Sequence, residues 1–86
     1  MELDNRTKEL IAVGASVTAN CQPCLEYHVR MALENGADAT EITEAVEVGK
    51  MVRRGAAAKF DKHALGLIES VPSAATAASG GCGCGS

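Results

Sequence analysis

Two thiols and an imidazole lie close together in Cys21-Gln22-Pro23-Cys24-Leu25-Glu26-Tyr27-His28. A Cys-x-x-Cys pair at a helix start brings its sulfurs near enough to cycle between dithiol and disulfide. The helix end adds unpaired N–H groups and positive dipole character that favour thiolate over thiol. His28 follows Cys24 by four positions, so on a helix it lies beside that sulfur and can take or return a proton. The chemistry these residues point to is sulfur redox. His63 has no nameable partner and reads as a surface residue.

The elements that must position them read as helices throughout. Asp4 or Asn5 can cap a first helix, on which Leu10, Val13, Gly14 and Val17 recur at helical spacing, with Ile11 widening the apolar face. Asn20 is the expected cap of the second helix, which begins at about Cys21. Pro23 fits there because its missing N–H has no intrahelical partner in the first turn. Leu25, Val29, Ala32 and Leu33 give that helix its apolar face, and Asn35-Gly36 stops it. Asp38 and Glu41 read as a capping box for a third helix, along which Ile42, Ala45, Val46, Gly49, Val52 and Ala56 form one stripe. Gly49 on that stripe suggests a close backbone approach, and Gly55 is expected to kink or end the helix. Phe60, Ala64, Leu67 and Ile68 then make a shorter final segment. No strand-length β pattern and no internal repeat is visible.

The expected fold is therefore all-α, a small helical bundle over residues 1–69, followed by an Ala/Ser/Gly-rich tail at 70–86 that carries Cys82-Gly83-Cys84. With 86 residues, 47% of them hydrophobic and many small, one copy has more apolar face than it can cover, so a homo-oligomer is expected to complete the core. A net charge of -3, one Tyr, one Phe and no Trp argue against nucleic acid as a partner. The charged N-terminus resembles no export signal and no apolar run approaches membrane-spanning length, so a soluble, cytoplasmic protein without a membrane partner is expected. Four cysteines in a reducing compartment point to redox or metal work.

Cys-Gln-Pro-Cys differs by one residue from the thioredoxin motif, but thioredoxins place it after a β-strand, and this chain lacks βαβ alternation. The pattern instead resembles the alkyl hydroperoxidase D-like branch of the carboxymuconolactone decarboxylase family, whose redox members carry Glu, eleven residues, Cys-x-x-Cys, three residues, His. Glu9, Cys21, Cys24 and His28 stand at those spacings, followed by the Gly36-Ala37 turn and Glu41-Ile42-Thr43-Glu44-Ala45, over roughly residues 6 to 58. Pro23 stands where the best-known peroxidase of the family has a second histidine. The resemblance implies a peroxiredoxin-type antioxidant enzyme of all-α fold, assembled as trimers or hexamers. Cys21, Cys24, His28 and Glu9 would be its catalytic residues, and it would need no cofactor. A peroxide or disulfide would be its substrate and a dithiol electron donor protein its partner.

Two other readings use the same residues. Zinc could take Cys21 and Cys24 with His28, or with Cys82 and Cys84, since thiolate and imidazole suit it. Alternatively the chain is a non-catalytic helical assembly module with incidental cysteines. Cys82 and Cys84 can be read as a resolving or relay dithiol, a metal clip or an accessory tail.

Overall fold

A computed structural model describes residues 2–72; the tail cysteines Cys82 and Cys84 lie outside the described residues. Three helices and no strand are present among them: α1 (Asn5–Thr18), α2 (Gln22–Glu34) and α3 (Ala39–Glu69). The chain divides into two compact units, Met1–Gly55 and Ala56–Ser86.

Each helix of the first unit begins where a side chain satisfies its free N–H groups. Asp4 caps α1 by accepting the Thr7 N–H at 2.8 Å. That bond, with a lesser contribution from the Thr7 hydroxyl, holds the Asp4 carboxyl below its ordinary value. Its stabilising effect is therefore present above the unfolded value and lost as the pH falls through the folded one. The capping box of α3 is formed on both sides. Asp38 Oδ1 accepts the Glu41 N–H at 2.8 Å and Glu41 Oε1 accepts the Asp38 N–H at 3.1 Å. Arg6 donates from the start of α1 to the other Glu41 oxygen, tying the two helix starts together.

Val13, Ala32 and Ala37 form the buried centre, with Leu10, Leu25, Val29, Ile42, Ala45 and Val46 packed around it. These side chains are small because the backbones come close. A Cβ built on Gly49 would overlap the Gly14 carbonyl oxygen and stand 2.8 Å from Val17 Cβ. The close approach expected at Gly49 is thus present, and the facing residue is Gly14. Gly36, at φ 94°, closes α2 in a backbone conformation that costs a side-chain-bearing residue more than glycine.

Several expectations need correction. Asn20 does not cap α2. It adopts φ 56° and closes the turn after α1, while Cys21 takes the cap position. Asparagine tolerates the left-handed region, so the residue type suits either role and sequence alone does not separate them. Gly55 does not end α3, which continues to Glu69. Ala56, Ala57 and Ala58 follow it, and such strong helix formers offset the roughly 1 kcal/mol cost of one glycine. Ile11, Leu33, Val52 and Ala56 were expected on inner faces but are exposed. In the second unit Phe60, Leu65, Leu67 and Ile68 are exposed as well, Phe60 by 70%.

The two glycines predict opposite outcomes. Gly49→Ala should destabilise the protein by about 2 kcal/mol, the usual scale for forcing atoms into a filled site. Gly55, with no atom within 4 Å of a built Cβ, should accept alanine with a gain of about 0.5–1 kcal/mol from helix propensity. Paired thermal and denaturant unfolding of both variants at matched concentration reads the contrast directly.

Candidate functional site

The turn between α1 and α2 sets the sulfurs in place. After Thr18 the chain passes through Ala19 and the left-handed Asn20, and the Cys21 N–H bonds back to the Ser16 carbonyl at 3.0 Å. Cys21 is extended, and its Sγ accepts the Cys24 N–H at 3.3 Å, which makes Cys21 the N-cap of α2. Pro23, in the first turn, removes a donor that had no helical acceptor. The two cysteines form a disulfide, with Cα atoms 5.3 Å apart, inside the range such bonds require. Cys24 is exposed and Cys21 half-buried.

From the neighbouring helix, Glu9 reaches into this region. Its Oε1 lies 2.7 Å from Nδ1 of His28. Both side chains are largely but not fully covered, 22% and 30% exposed, so water reaches the pair without separating it. A carboxylate at Nδ1 fixes the ring orientation and leaves Nε2 as the nitrogen it does not engage. The Tyr27 ring meets the His28 ring edge-on at 5.0 Å between centroids, and the Arg30 guanidinium lies 5.5 Å from the Tyr27 ring centroid. Glu9, His28, Cys21 and Cys24 therefore belong to one pair of adjacent helices, the histidine one turn beyond Cys24.

A third helix secures the turn, through a residue that helical periodicity does not distinguish from other surface cations. Arg53 of α3 donates to the Val17 carbonyl at 3.1 Å and to Asn20 Oδ1 at 2.8 Å. It thereby adds a second donor to a carbonyl at the end of α1 that already accepts the Asn20 N–H at 3.1 Å, and it holds the Asn20 side chain. Thr18 adds a hydroxyl bond to the Gly49 carbonyl at 2.9 Å. A cleft of about 250 Å³ opens beside Cys21, with Lys50 and Arg53 among its lining residues. The only sequence signal for these two cations is their i, i+3 spacing on α3.

The zinc reading does not gain from this arrangement. Cys21 and Cys24 are bonded to each other, and among the described residues no group of three His, Cys, Asp or Glu side chains is placed to hold a metal ion. No helix among those residues is long and apolar enough to cross a membrane.

Comparison with known proteins places these observations in a lineage. The model of the carboxymuconolactone decarboxylase family matches residues 1–69. An uncharacterized protein encoded in the cox locus of Paracoccus denitrificans is 39% identical over 72 residues, covering 84% of this chain. The match spans 65% of that relative's length. No solved structure matches the chain.

The geometry predicts that reduction and mild reoxidation of the protein should restore the Cys21–Cys24 bond in preference to any link involving Cys82 or Cys84. Two sulfurs held on one helix start close a short loop with little chain entropy to lose. Peptide mapping after stoichiometric oxidant should recover Cys21 and Cys24 in one linked peptide. Recovery of both core thiols free, with the tail cysteines joined, would move the redox chemistry to the tail.

Proposed function

Since the chain belongs to the carboxymuconolactone decarboxylase family, we propose that it is a thiol-dependent oxidoreductase of the alkyl hydroperoxidase-like kind. Its substrate would be a peroxide or a disulfide, and Cys21 and Cys24 the redox pair. The observation that carries this reading is the Glu9–His28 pair at 2.7 Å, one helical turn from a cysteine pair already joined as a disulfide. A proton carrier one helical turn from a cysteine pair suits thiol–disulfide chemistry, in which thiolates form and are reprotonated.

With a peroxide, a thiolate of the pair attacks one oxygen, the O–O bond breaks, and the sulfur becomes a sulfenic acid. His28, oriented by Glu9, supplies the proton that lets the leaving oxygen depart as alcohol or water. The second thiol then displaces hydroxide from the sulfenic acid, which leaves as water and closes the Cys21–Cys24 bond. With a disulfide substrate the same thiolate attacks sulfur, and the second cysteine resolves the mixed disulfide. In both cases a separate dithiol donor, oxidised to its own disulfide, returns two electrons and two protons. A dependence on donor thiols suits a reducing compartment, in keeping with a cytoplasmic location.

The working form is proposed to be a homo-oligomer, trimer or hexamer. The exposed apolar side chains of α3, Val48, Met51, Val52 and Phe60 among them, support association. Light scattering across micromolar concentrations should give a multiple of the chain mass, and a monomer throughout would remove this part of the proposal.

Turnover of hydroperoxide with a dithiol donor tests the main claim. Cys21→Ser and Cys24→Ser should each abolish donor-dependent cycling. His28→Gln and Glu9→Gln should slow it by roughly 10² to 10⁴, the usual contribution of a positioned acid or base, with helical circular dichroism unchanged. Wild-type turnover in both proton-relay variants would leave the disulfide without the chemistry assigned to it.

A further inference from the structure

The cleft beside Cys21 is lined by Cys21 and by none of Cys24, His28 or Glu9. Of the two disulfide residues, Cys21 alone borders this space of about 250 Å³, which suits a small molecule and not a folded partner. Val17, Leu25 and Val46 supply apolar lining, while Lys50 and Arg53 supply positive charge from α3. No Asp or Glu is among the described residues that line it. The two acceptors that Arg53 engages, the Val17 carbonyl and Asn20 Oδ1, are neutral and leave its charge in place. Lys50 is drawn toward Glu47 at 3.3 Å, a pair with both side chains well exposed and hence only partly offsetting. A lining that combines two cations, apolar side chains and one cysteine of the disulfide is a site for a thiol that carries its own negative charge.

We propose that this cleft is the entry site of the electron donor and that the donor's thiol belongs to a small carboxylate-bearing molecule, held by Lys50 and Arg53 so that its sulfur meets Cys21. The inference rests on the oxidoreductase reading above and specifies the chemistry of its reductant. The donor thiolate attacks Cys21 Sγ, the Cys21–Cys24 bond breaks, and Cys24 leaves as thiolate one turn from His28, which gives it a proton. A second donor thiolate, or the second thiol of the same molecule, attacks the donor sulfur of the mixed disulfide and expels Cys21 as thiolate. That leaving group is stabilised by its cap bond from the Cys24 N–H and by the two cations of the cleft. In sum two donor thiols become one disulfide and the protein disulfide becomes two thiols, the donors' protons ending on Cys21 and Cys24.

The test uses the oxidised full-length protein at low ionic strength. Reduction of the Cys21–Cys24 peptide is followed with 3-mercaptopropionate, 2-mercaptoethanol and cysteamine, each rate divided by the concentration of its thiolate form. The net charge of -3 would by itself disfavour the acid. The proposal instead expects the ratio of 3-mercaptopropionate to cysteamine to exceed, by about tenfold, the ratio the same thiols give with a small free disulfide, which removes their intrinsic difference in nucleophilicity; that factor is the scale of two partly exposed ion pairs. That advantage should fall about threefold in Lys50→Gln and further in Arg53→Gln. It should persist in Arg53→Lys, which keeps the charge, and acid-quenched mapping should find the donor adduct on Cys21. Ratios equal to those with the free disulfide, ratios unchanged in Lys50→Gln, or an adduct on Cys24 would overturn the inference while leaving the oxidoreductase reading intact. Failure of every thiol to reduce the disulfide would overturn both.

Discussion

Backbone meets backbone where α1 crosses α3 at Gly14 and Gly49, and no methyl group fits between them. Much of the site follows from that approach. It places Arg53, one turn further along α3, within reach of the Val17 carbonyl and Asn20, and it lets Thr18 reach the Gly49 carbonyl. Those bonds hold the left-handed turn that delivers Cys21 to the start of α2. The separation of two helices is in this way transmitted, through hydrogen bonds whose lengths tolerate little change, to the position of a sulfur atom.

Within the site, one residue serves two purposes at little added cost. Cys21 caps α2 and, on the proposed function, is also a redox sulfur, so the N–H that completes the helix start would also favour negative charge on that sulfur. Cys24 donates that N–H from its backbone and is bonded to Cys21 through its side chain. The proposed proton-handling groups come from two helices, Glu9 from α1 and His28 from α2. On the proposed function, anion stabilisation would rest on the first turn of α2 and proton transfer on a residue one turn later together with Glu9 of α1. A change that disturbs one need not disturb the other.

The exposed apolar residues differ in kind from the buried ones. Val13, Ala32 and Ala37 are enclosed because the helices of the first unit converge on them. Ile11, Val48 and Val52 lie along the same helices but outside that convergence, and they stay open to solvent in a single copy. Helical periodicity marks a residue as apolar-faced without stating which neighbour, if any, will cover it. For that reason the stripe read along α3 continues in sequence beyond the point where burial stops.

Sequence by itself determined the helical class, the capping box at Asp38 and Glu41, the stop at Asn35-Gly36 and the cysteine pair at a helix start. Each of these depends on residues within a few positions of one another, where backbone geometry leaves few alternatives. It also marked Gly49 as a place of close approach, because a glycine in a helix stripe is costly unless something needs the space. Only the tertiary structure decided that Gly14 faces it, that Glu9 meets His28 at bonding distance, that Asn20 ends α1 instead of starting α2, and that Arg53 and Lys50 share a cleft with Cys21. Those outcomes join residues up to 36 positions apart. They are set by how the helices pack, and a local pattern of charge or polarity carries no record of the distant atom that will receive its hydrogen bond.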